Sequence, residues 1–134
     1  MHAETRPARI LIVEDEDNIA LALIHVMGRE GWAVRRVDAG EAAMTEIATE
    51  RPDLVLLDVM LPGISGYEVC QQIRLDPELA SVKILMMTAR GNAMERRKGL
   101  ALGADGFVAK PFNLSDLMAE ARRLLSGATE ESDA

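Results

Sequence analysis

Five short runs of apolar or β-branched residues recur along the chain and predict five β-strands. The runs at residues 10–13, 54–57 and 82–87 are almost continuously apolar. Such runs are typical of parallel strands whose two faces are both covered by helices. Residues 33–37 have the pattern of an edge strand, and residues 106–109 are a weaker fifth candidate.

Helical patterns lie between these runs and predict five helices. Their expected ranges are residues 17–27, 41–50, 67–75, 92–102 and 114–125. Asp17 or Asn18 is expected to cap the first helix, and Asn113 the fifth. Pro52 is expected to stop the second helix, and the third should end before Pro77.

The fourth predicted helix has the weakest apolar face. Met94 and Ala101 lie on its stripe, but Arg97 and Lys98 interrupt the stripe and Gly99 lowers the helix propensity. We therefore expect this helix to be held loosely.

The alternation of strands and helices predicts a three-layer α/β sandwich. Right-handed crossovers leave few topologies, and the expected one is the doubly wound, flavodoxin-like (βα)5 sandwich with parallel sheet order 2-1-3-4-5. Residues 9–125 are expected to form this domain, after a flexible N-terminus at residues 1–8. Residues 126–134 are small and acidic, and are expected to be a disordered tail or the stub of a linker.

Composition narrows the class of protein. The 134 residues carry 15 basic and 22 acidic side chains, a formal net charge of −7, which disfavours direct nucleic-acid binding because phosphate contacts need a basic surface. The single cysteine, Cys70, excludes a disulfide framework. No apolar run approaches the roughly 18 residues of a membrane span, and the N-terminus lacks the apolar core of a signal peptide. We therefore expect a cytoplasmic protein with no membrane contact.

Acidic residues follow the two strands that this order places at the centre of the sheet. Because ligands bind beyond the carboxyl ends of such strands, Glu14, Asp15 and Asp58 are expected to converge there. Two charges about 5 Å apart repel by about 3 kcal/mol at an effective dielectric near 20. A cluster of carboxylates therefore needs a cation or raised pKa values, and oxygen-only ligands suit Mg²⁺.

The remaining strand ends add a hydroxyl and an ammonium group. Thr88 and Ala89 end the fourth strand, and Lys110 follows the fifth. Opposite three acids, we interpret Lys110 as a counter-ion. A nucleophilic carboxylate, metal ligands, a hydroxyl and an ammonium group are the components of phosphoryl transfer to an aspartate.

Four segments in this order and spacing resemble the receiver domain of bacterial two-component response regulators. They are ILIVEDE at residues 10–16, LVLLDVMLPGISG at 54–66, MTAR at 87–90 and GADGFVAKPF at 103–112. The resemblance covers about residues 9–125, nearly the whole chain.

The resemblance implies a role for each matching residue. Asp58 is the expected phosphoacceptor, with Lys110, Thr88 and the backbone of Ala89 contacting the phosphoryl group. The expected ligands of Mg²⁺ are Glu14, Asp15, Asp58 and the backbone carbonyl of Met60. Thr88 and Phe107 are the expected switch residues, and the Lys110–Pro111 bond is expected to be cis, which would aim the lysine into the site.

The function that the resemblance implies is a phosphorylation-controlled switch. The phosphoryl donor is the phosphohistidine of a sensor histidine kinase or a histidine phosphotransfer protein. The domain catalyses only its own phosphorylation and slow dephosphorylation. The output is a changed surface around the fourth helix, fifth strand and fifth helix, recognised by a downstream effector or an attached output domain.

The same resemblance bears on oligomeric state. Many receivers joined to winged-helix domains dimerise through that surface, using an Asp just before the switch aromatic and an Arg on the fifth helix. The corresponding positions here are Gly106 and Glu120. A monomer or a weak dimer is therefore expected.

Three alternatives compete with this interpretation. A haloacid dehalogenase-type phosphatase needs a second acid two residues after the strand-end aspartate, where this chain has Met60. A flavodoxin needs a hydroxyl- and glycine-rich phosphate loop after the first strand, where the acidic residues 14–17 would repel phosphate. A pseudo-receiver that acts only as an interaction module would not need Asp58, Thr88 and Lys110 together.

Overall fold

The computed structural model describes residues 6–89 and 93–127. All five predicted strands form one parallel sheet in the order β2-β1-β3-β4-β5. Their bounds are β1 Arg9–Val13, β2 Ala33–Val37, β3 Leu54–Asp58, β4 Lys83–Thr88 and β5 Gly106–Ala109. The predicted strand order is confirmed, and so is the edge position of β2.

Helices cover both faces of the sheet. Their bounds are α1 Asp17–Gly28, α2 Gly40–Glu50, α3 Gly66–Leu75, α4 Ala93–Ala101 and α5 Leu114–Leu125. A short 3-10 turn at Pro77–Leu79, which the sequence patterns did not predict, follows α3. None of the described helices is both long and apolar enough to cross a membrane.

Two hydrophobic clusters lie on opposite sides of the sheet. Side chains from α2 and α3 pack with Leu11 and Val55 on one side, while α1 and α5 pack with Ile12 and Leu56 on the other. Every residue of β3 is buried. The central strands therefore need apolar residues at odd and even positions alike, which explains their continuous apolar runs.

The helix ends partly confirm the predicted caps. Asn113 caps α5 by accepting the backbone N–H groups of Ser115 and Asp116. The predicted cap of α1 is wrong: the N-cap residue is Glu16, and it makes no side-chain capping bond. The carboxylate of Asp17 instead pairs with Arg36, whose guanidinium lies 3.0 Å away.

Helix α4 has only one buried residue among those described, Gly99. This agrees with the expectation of a loosely held helix. The predicted start at Asn92 lies outside the described residues, as do most of the predicted flexible N-terminus and acidic tail.

Candidate functional site

Three carboxyl groups meet at the carboxyl edge of the sheet. Glu14 follows β1, and Asp58 is the last residue of β3. One carboxylate oxygen from each of Glu14, Asp15 and Asp58 lies within 4.8 Å of the other two. Glu14 is fully buried, Asp58 is 3% exposed, and Asp15 is exposed. The predicted convergence of these acids is confirmed.

Lys110 faces this cluster from the loop after β5. Its Nζ lies 3.0 Å from Asp58 Oδ2, to which it donates a hydrogen bond, and 3.0 Å from Glu14 Oε1, with which it forms an ion pair. Burial opposes the charge of Lys110, but the contacts with Glu14 and Asp58 outweigh burial and raise its pKa. Lys110 is therefore a charged counter-ion, and the Lys110–Pro111 bond is cis as expected.

One ammonium group does not neutralise the cluster. Burial raises the pKa of Glu14, and the contact with Lys110 and the backbone N–H of Glu16 oppose that rise only in part. Apart from its ion pair with Lys110, Glu14 Oε1 is held by no other group among the described residues. A buried oxygen of this kind, beside two more carboxylates, fits the oxygen ligand set of Mg²⁺.

The backbone around Asp58 fixes the direction of its carboxylate. The N–H of Met60 donates to Asp58 Oδ1 at 3.0 Å, and the N–H of Val59 donates to the carbonyl of Met87 on β4 at 2.9 Å. Any side chain at Gly66 would overlap the carbonyl group of Asp58. Glycine at this position therefore lets α3 begin directly against the end of β3.

Two of the residues predicted to contact a phosphoryl group, Thr88 and Ala89, line a cavity that also borders Val59 and Met60, the residues after Asp58. The cavity has a volume of about 350 Å³ and is lined by Val59, Met60, Tyr67, Thr88, Ala89 and Glu95. Thr88 is only 4% exposed, whereas Met60 is 70% exposed at the mouth of the site. The N–H of Lys110 donates to the carbonyl of Thr88 at 2.7 Å, which joins the ends of β4 and β5.

Phe107 lies on the α4 side of β5, where it pairs in register with Met86. Its half-buried ring packs against the cluster formed with α2 and α3. The guanidinium of Arg96 lies 5.6 Å from the ring centroid, and a side chain at Gly99 would overlap the ring. The structure therefore places the predicted switch aromatic against α4, apart from the carboxylate cluster.

Sequence reasoning missed three contacts near the site. The hydroxyl of Tyr67 on α3 donates to Glu95 on α4, and Lys98 Nζ lies 4.3 Å from the centroid of the Tyr67 ring. Arg36, on edge strand β2, binds the loop that carries Glu14 and Asp15. None of these contacts belongs to a helical or strand repeat, so no periodic pattern in the sequence predicts them.

A family model described as the response regulator receiver domain matches residues 10–122. The chain belongs to the receiver domains of response regulators. Receiver domains are generally signalling modules of two-component systems and do not turn over an external substrate. The family supports neither the phosphatase nor the flavodoxin alternative.

Individual relatives of this receiver domain support the same family assignment. It is 42% identical over 123 residues to the phosphate regulon transcriptional regulatory protein PhoB of Rhizobium meliloti, covering 92% of this chain and 54% of that protein. It is 40% identical over 125 residues to the sensory transduction protein RegX3 of Mycolicibacterium smegmatis, covering 93% and 54%. The chain thus spans about half the length of these curated relatives.

A solved structure shows the same fold. The crystal structure of a putative response regulator from Chloroflexus aurantiacus matches with a TM-score of 0.86 and 37% identity, covering 90% of this chain and 99% of that one. The predicted doubly wound fold is therefore confirmed both by the strand order and by a known relative.

Proposed function

We propose that this receiver domain is switched by phosphorylation of Asp58. The observation that carries the proposal is the position of the Asp58 carboxylate, which is held at the end of a central strand between Lys110 and two further carboxylates. A phosphohistidine on a sensor histidine kinase, or on a histidine phosphotransfer protein, is the proposed donor.

In the proposed reaction an Asp58 oxygen attacks phosphorus in line with the leaving imidazole. The O–P bond forms as the P–N bond breaks, and the imidazole leaves with the electron pair of that bond. The ring departs neutral because its other nitrogen carries a proton. The product is an acyl phosphate, which water can later hydrolyse, and the domain's own groups promote both steps.

The chain's own groups position this reaction. The N–H of Met60 and the ammonium of Lys110 hold the two oxygens of Asp58 in fixed directions. After transfer, Lys110 pairs with phosphoryl oxygens, and the Thr88 hydroxyl and the Ala89 backbone N–H donate to them. Preorganised donors of this kind stabilise the charge of the transferred group.

Mg²⁺ is the proposed cofactor. Glu14, Asp15, Asp58 and the backbone carbonyl of Met60 would hold it, and when bound it offsets negative charge on the phosphoryl oxygens. The carboxylates that create the repulsion described above are therefore the same groups that would bind the cation.

The proposed signal leaves the site through Thr88 and Phe107. As the Thr88 hydroxyl moves to the phosphoryl group, the Phe107 ring moves inward and alters the surface made by α4, β5 and α5. A downstream effector or an attached output domain reads that surface in the cytoplasm. The domain itself binds neither nucleic acid nor membrane and is a monomer or a weak dimer.

Labelling with acetyl phosphate tests the proposed site. Wild-type protein with Mg²⁺ should gain the mass of one phosphoryl group, and Asp58→Asn should gain none. Asp53→Asn is a matched control, because Asp53 precedes the same strand at its opposite end and should leave labelling intact. Omission of Mg²⁺, or the pair Glu14→Gln and Asp15→Asn, should nearly abolish labelling. Undiminished labelling of Asp58→Asn would contradict the assignment.

A further inference from the structure

The guanidinium group of Arg36, on edge strand β2, contacts the loop between β1 and α1. Arg36 donates from Nε and Nη2 to the carbonyl oxygen of Glu14, at 2.9 and 2.8 Å, and from Nη2 to Asp17 Oδ1 at 3.0 Å. The Arg36 side chain is only 23% exposed. These contacts bracket Asp15, which lies between the two acids that Arg36 binds.

The carboxylate of Asp15 is not held in place by any described residue. Its side chain is exposed, and among the described residues none donates a hydrogen bond to its carboxylate or forms an ion pair with it. Glu14, in contrast, is held by Lys110 and by the N–H of Glu16, which donates to Glu14 Oε2 at 3.0 Å. The direction of the Asp15 carboxylate therefore depends on the backbone that precedes it.

Strand β2 holds that backbone on both sides of Glu14. The N–H of Glu14 donates to the carbonyl of Val37 at 3.1 Å, one residue beyond the last paired residues of β1 and β2. Arg36 then binds the Glu14 carbonyl, whose peptide group is bonded directly to Asp15. We infer that Arg36 is a positioning residue for the magnesium ligand Asp15, and that it raises the affinity of the site for Mg²⁺.

This inference rests on the proposed function, and it predicts the direction in which the Mg²⁺ affinity changes. The positive charge of Arg36 would by itself repel a cation, but the ion pair with Asp17 leaves the two side chains neutral together. Removing both side-chain charges at once therefore keeps the local charge constant. Any change in Mg²⁺ affinity then reports the geometry of the loop.

The experiment is Mg²⁺ binding measured by isothermal titration calorimetry, with no phosphoryl donor present. The double variant Arg36→Met with Asp17→Asn should bind Mg²⁺ about tenfold more weakly, the lower end of what outer contacts contribute at metal sites. Arg36→Lys should also stay weakened, because an ammonium keeps the charge but lacks the planar fork that spans both acceptors.

Two controls separate positioning from general damage. Arg35→Met removes the neighbouring arginine, which pairs with Glu46 on α2 and not with the acidic loop, and should keep the wild-type affinity. Urea unfolding in metal-free buffer should show that the double variant is still folded. Asp17→Asn alone measures the effect of one charge on the affinity.

The outcomes distinguish this inference from the function on which it rests. A wild-type affinity for Mg²⁺ that the double variant retains or exceeds overturns the role of Arg36 and leaves the proposed site standing. A wild-type protein that binds no Mg²⁺, or whose binding survives Asp15→Asn with Asp58→Asn, overturns both.

Discussion

At the scale of single residues, the buried carboxyl group of Glu14 makes stability depend on pH. Burial raises its pKa above the usual 4.5, so the folded state holds this proton more tightly than the unfolded chain does. The associated stability is fully present below about pH 4.5 and is lost as the pH rises through the folded-state pKa. In metal-free buffer, the Glu14 contribution to the free energy of unfolding should therefore fall across this window.

Glu14→Gln isolates that contribution. The difference in unfolding free energy between wild type and variant should change with pH in this window, in favour of the variant at the higher pH. Urea unfolding followed by the fluorescence of Trp32, the one tryptophan, measures both proteins. Parallel pH profiles for the two would contradict the prediction. Added Mg²⁺ should stabilise wild type more than the variant, because a ligand stabilises the state that binds it and the variant lacks one of the proposed ligands.

Gly99 illustrates how a single side chain can oppose helix propensity. Replacing a helical glycine with alanine gains up to about 1 kcal/mol when nothing is in the way, but a Cβ at Gly99 would overlap the Phe107 ring. We expect Gly99→Ala to lower the melting temperature. Gly28→Ala is the control, because Gly28 ends α1 with no atom within 4 Å of an added Cβ, and it should be neutral or stabilising. Equal stabilisation by both substitutions would show that a Cβ at position 99 does not disturb the Phe107 ring.

At the scale of elements, α4 is attached to α3 by Tyr67. Burial raises the pKa of Tyr67 to about 12, and its hydrogen bond to Glu95 adds to the shift. Since Tyr67 is the one tyrosine of the chain, phenolate absorbance reports it alone. Its titration midpoint should lie near pH 12 in folded wild type and closer to the ordinary value of about 10 in Glu95→Gln.

The sign of the Tyr67 effect on stability follows from the same shift. A raised folded-state pKa means that the contribution is complete below about pH 10 and is lost as the pH rises through about 12. Circular dichroism must show folded protein across the titration, because an unfolded chain would also titrate near the ordinary value. A wild-type midpoint near 10 in folded protein would mean that α3 and α4 are not joined in this way.

The relay from β4 to α4 should be separable from the chemistry. In the proposed mechanism, the Thr88 hydroxyl meets the phosphoryl group only after transfer, so Thr88→Ala should still be labelled on Asp58. Amide exchange in α4 should then respond less to beryllofluoride than in wild type. Thr49→Ala is the control, because the Thr49 hydroxyl binds its own helix at Thr45. A full α4 response in Thr88→Ala would rule out Thr88 as the relay.

The elements of this fold could be predicted because their signals are local. Buried parallel strands need apolar residues at every position, and the apolar stripe of α5 repeats on one face. The strand order then brings Glu14 and Asp58 together without any knowledge of side-chain contacts. The Ser65 cap of α3, a reciprocal pair with Glu68, also has a recognisable local pattern, a Ser followed three residues later by Glu.

Contacts between distant elements could not be predicted in the same way. Arg36 and Glu14 are separated by 22 positions, and Tyr67 and Glu95 by 28, with no periodic pattern linking the partners. The wrong cap of α1 has the same origin, because Asp17 suits an N-cap locally but Arg36 competes for its carboxylate. Side-chain direction across elements depends on packing that local patterns do not encode.

At the scale of the whole molecule, the residues that stabilise the fold and the residues of the candidate site lie at different places on the sheet. The two hydrophobic clusters lie along the faces of the sheet, whereas the ionisable groups of the site lie beyond its carboxyl edge. Removing charge at that edge therefore leaves the core contacts in place. Under the proposed function, this arrangement would let phosphorylation change the charge on Asp58 while the fold is retained. It would leave the response to α4, the described helix with the fewest buried residues.

Three charged side chains of α5 are already engaged in ion pairs within the chain. Arg122 pairs with Glu30, and Arg123 pairs with Glu120, each at 2.6 Å. Glu120 also approaches β5, where its Oε2 would lie 2.8 Å from a Cβ added to Gly106. Position 106 is Gly where many dimeric receivers have Asp, and position 120 is Glu where they have Arg. The expected charge pair is therefore missing on both sides. In a symmetric interface through this surface, Glu120 would add negative charge instead of a salt bridge, which would weaken the interface.

We therefore expect the protein to stay monomeric, or to dimerise only weakly, at tens of micromolar with beryllofluoride and Mg²⁺. Light scattering after size exclusion measures the mass directly, and amide exchange on the same sample confirms that α4 has responded. The exposed Arg97 on α4 provides the decisive variant, because a dimer that used the basic side of this surface would lose affinity on charge reversal. A tight twofold gain in mass that Arg97→Glu disrupts would show that α4 supplies enough complementary charge without the missing pair, and the prediction would be wrong.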